Sequence, residues 1–156
     1  MIIDSDNAAT YTLIDHIRPE ALTSVFNELG LESPDLVKGT YTISAKDYSL
    51  FFRVLYNATY LGRKNSERAL GLLAQASFKD ALVAGIPTET VVAHKYGTRS
   101  TLINGTIVNP ELHDCGIVYK PEHPYFLCVM TRGSTMPGLK KTIGDISALV
   151  YKELGD

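Results

Sequence analysis

Two short stretches hold side chains whose types and order suit chemistry on an acyl group. Near the start, Ser5-Asp6-Asn7 sets a hydroxyl, a carboxylate and an amide side by side at the head of a helical pattern. Far along the chain, Val91-Val92-Ala93-His94-Lys95-Tyr96-Gly97-Thr98-Arg99 runs from apolar residues into a lysine, a glycine, a hydroxyl and an arginine. That order reads as a buried strand whose far end opens onto an anion site. Lys95 and Arg99 supply charge, Thr98 a hydroxyl, and Gly97 lets a ligand approach the backbone closely. Taken singly, Ser-Asp-Asn is a common helix cap and Lys-x-Gly an ordinary strand end. Their order along one chain gives them weight.

Together they resemble the penicillin-recognising serine hydrolases, the class A β-lactamases and penicillin-binding proteins, whose three signatures are S-x-x-K, S-D-N and K-T-G. The second signature is complete here, and the third stands as Lys95-Tyr96-Gly97. Glu111–Tyr119 and Tyr125–Gly133 look like the two strands that follow the lysine strand in class A enzymes, and the helical segments between the motifs fall in the family's order. The resemblance covers nearly the whole chain, as the later part of a family domain.

The resemblance implies acyl transfer to a carboxylate-bearing amide, of the β-lactam or D-Ala-D-Ala type. Ser5 would relay a proton between the active-site amine and the leaving nitrogen, with Lys95 supplying positive charge beside it; these are the candidate catalytic residues. Asn7 would hydrogen-bond the substrate's side-chain amide. Gly97 leads to Thr98, whose backbone N–H would form half of an oxyanion hole and whose hydroxyl, with Arg99, would bind the substrate carboxylate. Asp6 would stabilise the turn and not touch substrate. No cofactor is implied.

Three departures from the family pattern matter. No serine has a lysine three residues on; Ser44 and Ser77 have one two residues on, at Lys46 and Lys79, which is the wrong register for one helix face. The nucleophile and its base are therefore expected outside this chain. An N-terminal segment or a second chain would bring them, together with further strands. The loop Leu31–Ile43 lacks an E-x-x-L-N glutamate and offers only Glu32 and Asp35 for activating a deacylating water. Tyr96 replaces the usual Thr or Ser and is expected to point opposite Lys95.

Other polar residues invite rival readings. His94, His113, Asp114, Cys115 and His123 contain metal-ligand types, but nothing in their spacing forces convergence, since Asp114 faces away from His113 and Cys115. Structural or polar roles fit them better than a metal site. An unrelated hydrolase using His94 or His113 with Cys115 is the weaker alternative, because buried strand cysteines are usually inert. Cys115 falls opposite Cys128 if the last two strands form a hairpin turning at Pro121-Glu122. The pair is read first as two small reduced core residues, with a cross-strand disulfide as the alternative. Tyr56 and Tyr60, four apart, read as helix packing.

The elements that must position these residues are α+β in order: a mainly helical part over residues 1–87, then antiparallel strands and a last helix over 88–156. Asp4–Asn7 caps a helix beginning near Ala8 with Leu13, Ile14 and Ile17 on one side. Pro19 opens a second helix that Gly30 stops. Ser44-Ala45-Lys46-Asp47 is a capping box for a helix to about Leu61. Asn65 or Ser66 caps another through Gln75, and Phe78–Ala84 forms a short one. From Thr90 the period becomes that of strands, at Val91–Lys95, Glu111–Tyr119 and Tyr125–Thr131. Pro137 opens a last helix whose stripe is Leu139, Ile143, Ile146, Leu149, Val150 and Leu154, and which covers the sheet.

At 156 residues the chain fits one domain, and 45% hydrophobic with 21% charged residues is ordinary for a globular protein. Fifteen basic residues against seventeen acidic ones argue against a nucleic-acid partner. No apolar run approaches the ~20 residues of a membrane helix, and Met1-Ile2-Ile3-Asp4 reaches acid too soon for a secretory signal, which leaves the compartment open.

Overall fold

The computed structural model describes residues 1–34 and 41–154. Asp35 and Gly39 of the expected loop lie outside the described residues. The β-rich stretch after Thr90 becomes a three-stranded antiparallel sheet in the order β1-β2-β3, with β1 at Val92–Ile103, β2 at Thr106–Val118 and β3 at Tyr125–Arg132. Around it stand α1 (Asn7–His16), α2 (Pro19–Glu28), α3 (Ala45–Tyr56), α4 (Arg63–Ala74) and α5 (Met136–Glu153). The fold is α+β, with helices before the sheet and one after it. No described helix is long and apolar enough to cross a membrane.

Two tight turns set the sheet. Asn104 and Gly105 both have positive φ, 49° and 77°, which is the two-residue hairpin turn that matches strand twist. It makes β1 far longer than the five residues expected. Lys120-Pro121-Glu122-His123 closes the second hairpin, with Glu122 at φ 65° and the His123 N–H donating to the Lys120 carbonyl at 3.2 Å. A bulge between Arg99 and Thr101 shifts the β1–β2 register by one, so that Lys95 pairs with Cys115 and Gly97 with His113.

Strand alternation splits the sheet into two faces, and both are covered. Val92, Leu112 and Val118 pack with Ala81, Leu82, Ile86, Leu139 and Ile143 beneath α5 and the segment before β1. Ala93, Cys115 and Ile117 pack with Phe52 of α3 and Leu73 of α4 on the other side. The last helix therefore covers one face only. Within α5 the buried line is Leu139, Ile143 and Ser147, while Leu149 and Leu154 are exposed. Leu149 follows Ile143 by six residues, which turns it to the far side of a 3.6-residue helix.

Several helix ends differ from expectation. α3 stops at Tyr56, not near Leu61. Ala58 adopts φ 52°, the Thr59 N–H reaches the Val54 carbonyl and the Ala58 N–H the Leu55 carbonyl, a Schellman closure that uses alanine where glycine is usual. Tyr60 thus lies beyond the helix that holds Tyr56. α4 begins at Arg63 behind Gly62, ahead of the expected caps Asn65 and Ser66. Phe78–Ala84 is no helix; a single 3-10 turn at Val83–Gly85 takes its place. There Gly85 meets α5 so closely that a Cβ would stand 2.1 Å from the Gly144 carbonyl oxygen and 2.8 Å from the Ala148 nitrogen. The Ser44 cap holds as a hydroxyl that accepts from the Asp47 N–H at 3.0 Å and donates to the Asp47 carboxylate at 2.7 Å.

Cys115 and Cys128 do face each other across β2 and β3, and they are joined as a disulfide. The reading as two reduced core residues is corrected. Their direct register brings the sulfurs together on the buried α3–α4 face.

Candidate functional site

The N-terminal segment is tied down before it reaches Ser5. The Ile3 carbonyl accepts from both the N–H and the hydroxyl of Ser77, at 3.0 and 3.2 Å. Asp6 then caps α1, its carboxylate accepting the Ala9 N–H at 2.6 Å. Ser5 sits between these anchors with φ 53°, a left-handed conformation uncommon for serine. The result is a hydroxyl pointed at β1.

Lys95 meets it there. Its Nζ donates to Ser5 Oγ at 2.6 Å and to the Tyr96 carbonyl at 2.7 Å, and lies 4.5 Å from the Tyr96 ring centroid. The residues read as a pair from opposite ends of the sequence are thus in contact. Burial of the Lys95 amine pushes its pKa below the ordinary lysine value, and the negative charge of Asp114 pushes back up. Beside Lys95 opens an apolar cleft of about 430 Å³ lined by Ile2, Phe26, Tyr48, Phe51 and Leu55, among others.

The remaining candidates spread along the same strand edge. β1 is paired on one side only, so its other edge faces outward. A Cβ built at Gly97 would meet nothing within 4 Å, so the space above that residue is open. Arg99 shares the face of Lys95 and Gly97, and its register partner Glu111 pairs in turn with Arg132. Arg132 Nε donates to Glu111 at 2.7 Å, and that hydrogen bond holds the Glu111 carboxyl below its usual range. Arg99, Glu111, His113, Thr131 and Arg132 line a second cleft of about 370 Å³ with Tyr41. Thr98 is exposed and, by alternation, on the opposite face from Arg99, so the two do not converge through strand geometry alone. Asn7 is exposed at the first residue of α1. Glu32 is also exposed, its backbone carbonyl accepting the Tyr41 hydroxyl at 2.9 Å.

Tyr96 lies on the opposite sheet face from the Lys95 stem, in the core beneath α5, where it stacks on Phe78 at 4.1 Å. The Lys95 amine nevertheless reaches round the strand edge to its ring. The metal-type residues disperse. His94 and Asp114 bond each other on the α5 face, His113 lies on the other face, and Cys115 is consumed in the disulfide. Among the described residues no three such side chains are placed to hold a metal ion. Sequence reasoning missed the His94–Asp114 pair. No local signal pointed to it, because counting back from the Asn104-Gly105 turn puts the two residues on opposite faces and only the bulge after Arg99 unites them.

A sequence model of the beta-lactamase enzyme family matches residues 1–154. No curated protein matches the sequence. Among solved structures the chain is similar to PBP-A, with 27% identity and a TM-score of 0.78 over 98% of this chain and 58% of that one. An acyl-enzyme complex of a PBP-A mutant with penicillin G is similar at 25% identity and TM-score 0.77, again over 98% and 58%. A β-lactamase from Xanthomonas campestris shares the fold at 19% identity and TM-score 0.76, over 99% of this chain and 61% of that one. The chain therefore spans less than two thirds of the length of these structures.

Proposed function

The chain belongs to the β-lactamase enzyme family, and from that premise we propose that it supplies one wall of an acyl-transfer cleft in a serine hydrolase acting on β-lactam or D-Ala-D-Ala-type amides. The observation that carries this reading is the 2.6 Å hydrogen bond from Lys95 Nζ to Ser5 Oγ. A desolvated ammonium beside a hydroxyl polarises that hydroxyl and attracts an anionic substrate. A mutant of PBP-A, which is similar over nearly the whole of this chain, is an acyl-enzyme complex with penicillin G in its solved structure.

In this reading a serine hydroxyl from outside the chain attacks the amide carbonyl. The hydroxyl's proton goes to the base that accompanies it, and as the C–N bond breaks that base returns a proton through the Ser5 hydroxyl to the departing nitrogen. Lys95 holds the substrate carboxylate by charge, with Arg99 further along the same face. Residues two apart in a strand turn their N–H groups to the same edge, so Thr98 presents its N–H on the side where the Tyr96 carbonyl meets Lys95. That N–H is suited to a developing oxyanion. Gly97 leaves room for the substrate to lie along the strand, and Asn7, at the head of α1, is assigned to the substrate's side-chain amide. No serine of the chain precedes a lysine by three residues, so the nucleophile comes from an N-terminal segment or a second chain.

The experiment is exposure of this chain to a fluorescent penicillin and to a chromogenic cephalosporin, with amide and lysine NMR followed during addition of penicillin G. The expected result is no covalent label and no hydrolysis, but a Lys95 perturbation that Lys95→Met abolishes. Stable labelling would overturn the claim that the nucleophile lies elsewhere. Absence of any Lys95 response would overturn the substrate-binding role.

One observation favours a second reading, a non-catalytic binding or assembly module that keeps the fold. α1 buries none of its residues, and Leu13, Ile14 and the capping Ile17, which share one side, are 47%, 36% and 47% exposed. An apolar helix face of that kind suits a partner chain. Sedimentation velocity separates the readings: self-association of the chain favours the module, a well-behaved monomer counts against it.

A further inference from the structure

His94 and Asp114 are both fully buried, on the sheet face that α5 covers, and His94 Nδ1 lies 2.8 Å from Asp114 Oδ1. The other carboxylate oxygen accepts the Leu82 N–H at 3.1 Å. Oδ2 is taken by a backbone donor and Oδ1 faces Nδ1, so an ionised carboxylate that accepts the Nδ1 proton satisfies both oxygens. The histidine then carries its proton on Nδ1. Its Nε2 is buried with no hydrogen-bond partner among the described residues, so a second proton there would place an unpaired N–H in the core. Neutral histidine with ionised aspartate leaves one net negative charge inside the sheet.

That charge is placed with care. Asp114 sits opposite Tyr96, beside the residue that pairs with Lys95. Gly116 makes the pairing possible, because a Cβ there would stand 2.5 Å from the His94 Cβ. The ionisable side chains packed on this face are the phenols of Tyr96 and Tyr125 from the sheet and Tyr151 from α5, with Tyr48 of α3 on the opposite face. Lys140 and Lys141 of α5 are paired with Asp80 and Asp145, and Lys120 donates to the Tyr151 carbonyl and lies over the Tyr151 ring. Asp114 is thus the interior charge that Lys95 feels.

We propose that the His94–Asp114 pair is a buried counter-charge that keeps the Lys95 amine cationic from the opposite face of the sheet, making Asp114 a positioning residue for the Ser5–Lys95 site. Burial alone favours the neutral amine, which binds anions poorly. A fixed negative charge beneath the strand offsets this without occupying the space a substrate needs. The opposing effects of burial and of Asp114 on Lys95, and the Asp114 effect on Tyr48 across the sheet, agree with this arrangement. The inference rests on reading Lys95 as the anion-binding cation. Its test observes the amine directly and requires no turnover, so the two fail separately.

The test is an NMR pH titration of the side-chain amine in the intact chain, with the Lys95 resonance assigned by its loss in Lys95→Met. Asp114→Asn should raise the acidity constant of Lys95 several-fold while the chain stays folded. A purely structural role would lower the melting temperature and leave that titration in place, and a folded Asp114→Asn chain with an unmoved Lys95 midpoint overturns the proposal. Should that variant fail to fold, nitrogen NMR of the wild-type imidazole decides at neutral pH. A single proton on Nδ1 of His94 supports the net charge, and a doubly protonated ring removes it and with it the proposal.

Discussion

Lys95 Nζ and Ser5 Oγ, ninety residues apart in sequence, stand 2.6 Å apart. The contact joins an edge strand to a segment that has no regular structure of its own, so it fixes that segment as well as the chemistry. Ser5→Ala removes the acceptor and leaves a half-buried ammonium with only the Tyr96 carbonyl, at a cost of about 1–2 kcal/mol. Ser5→Gly loses the same hydrogen bond but relieves the positive φ of 53°. The glycine variant should therefore be the more stable by up to about 1 kcal/mol. Urea denaturation of the two variants beside the parent chain checks the order, and equal stabilities would show that the backbone there is unstrained.

The two motifs were legible because each is local: a cap before a helix, and a lysine and glycine at the end of a strand. The capping box at Ser44, the stop at Gly30 and the hairpin at Pro121-Glu122 were legible for the same reason. Register was not. The Asn104-Gly105 turn marks the first hairpin, yet counting back from it would pair Lys95 with Asp114. The bulge after Arg99 shifts the pairing to Cys115, and a one-residue shift exchanges the faces. It separates Asp114 from the face of Lys95 and unites it with His94, while the second hairpin alone sets Cys115 opposite Cys128. The helix expected at Phe78–Ala84 failed because Ala81 and Leu82 are buried by α5 as an irregular segment, with the Leu82 N–H bonded to Asp114 in place of a helical carbonyl.

Alkaline conditions should destabilise the fold chiefly through its tyrosines. Burial pushes Tyr125 up to about 12 from 10.0, and Tyr41, Tyr48, Tyr60 and Tyr119 are also raised. A raised phenol binds its proton more tightly in the folded state, so its contribution is whole below pH 10.0 and is lost as pH rises toward about 12. Lys95 acts in the opposite sense. Its lowered value means that the unfolded chain holds the proton more tightly, so the cost of burying that charge fades as pH rises toward 10.5. Tyr125→Phe should flatten the loss above pH 10.0. It should not harm stability at neutral pH, because the Tyr125 hydroxyl is buried without a partner among the described residues. Melting temperatures across the alkaline range, parent against variant, decide this, and an unchanged slope would remove Tyr125 from the account.

Joining Cys115 to Cys128 closes a loop over a separation of 13 residues. By the chain-entropy argument this stabilises the fold by roughly 3 kcal/mol. Reduction, or the double variant Cys115→Ala with Cys128→Ala, should lower the free energy of unfolding by up to that amount while leaving the far-ultraviolet spectrum unchanged. A thiol titration of the unfolded chain before and after reduction verifies the starting state. Two free thiols in the unreduced protein would contradict the cross-strand bond.

Gly116 and Gly97 lie on neighbouring strands, and the same substitution should act on them in opposite ways. At Gly116 an added Cβ would stand 2.5 Å from the His94 Cβ and 2.7 Å from the Ala93 carbonyl oxygen. The Ala93 carbonyl belongs to the paired strand and has no freedom to move aside. Gly116→Ala should therefore cost roughly 3 kcal/mol or more, by forcing β1 from β2 and parting His94 from Asp114. At Gly97 the added Cβ would meet nothing within 4 Å, and alanine suits a strand at least as well as glycine does. Gly97→Ala should then change stability by no more than about 0.5 kcal/mol. The methyl group would still stand in the open space between Lys95 and Arg99, where a bound amide would lie. Denaturation measures the first effect and the Lys95 response to penicillin G the second. A Gly97→Ala chain that folds normally yet responds to penicillin G as the parent does would show that the substrate does not run along this strand.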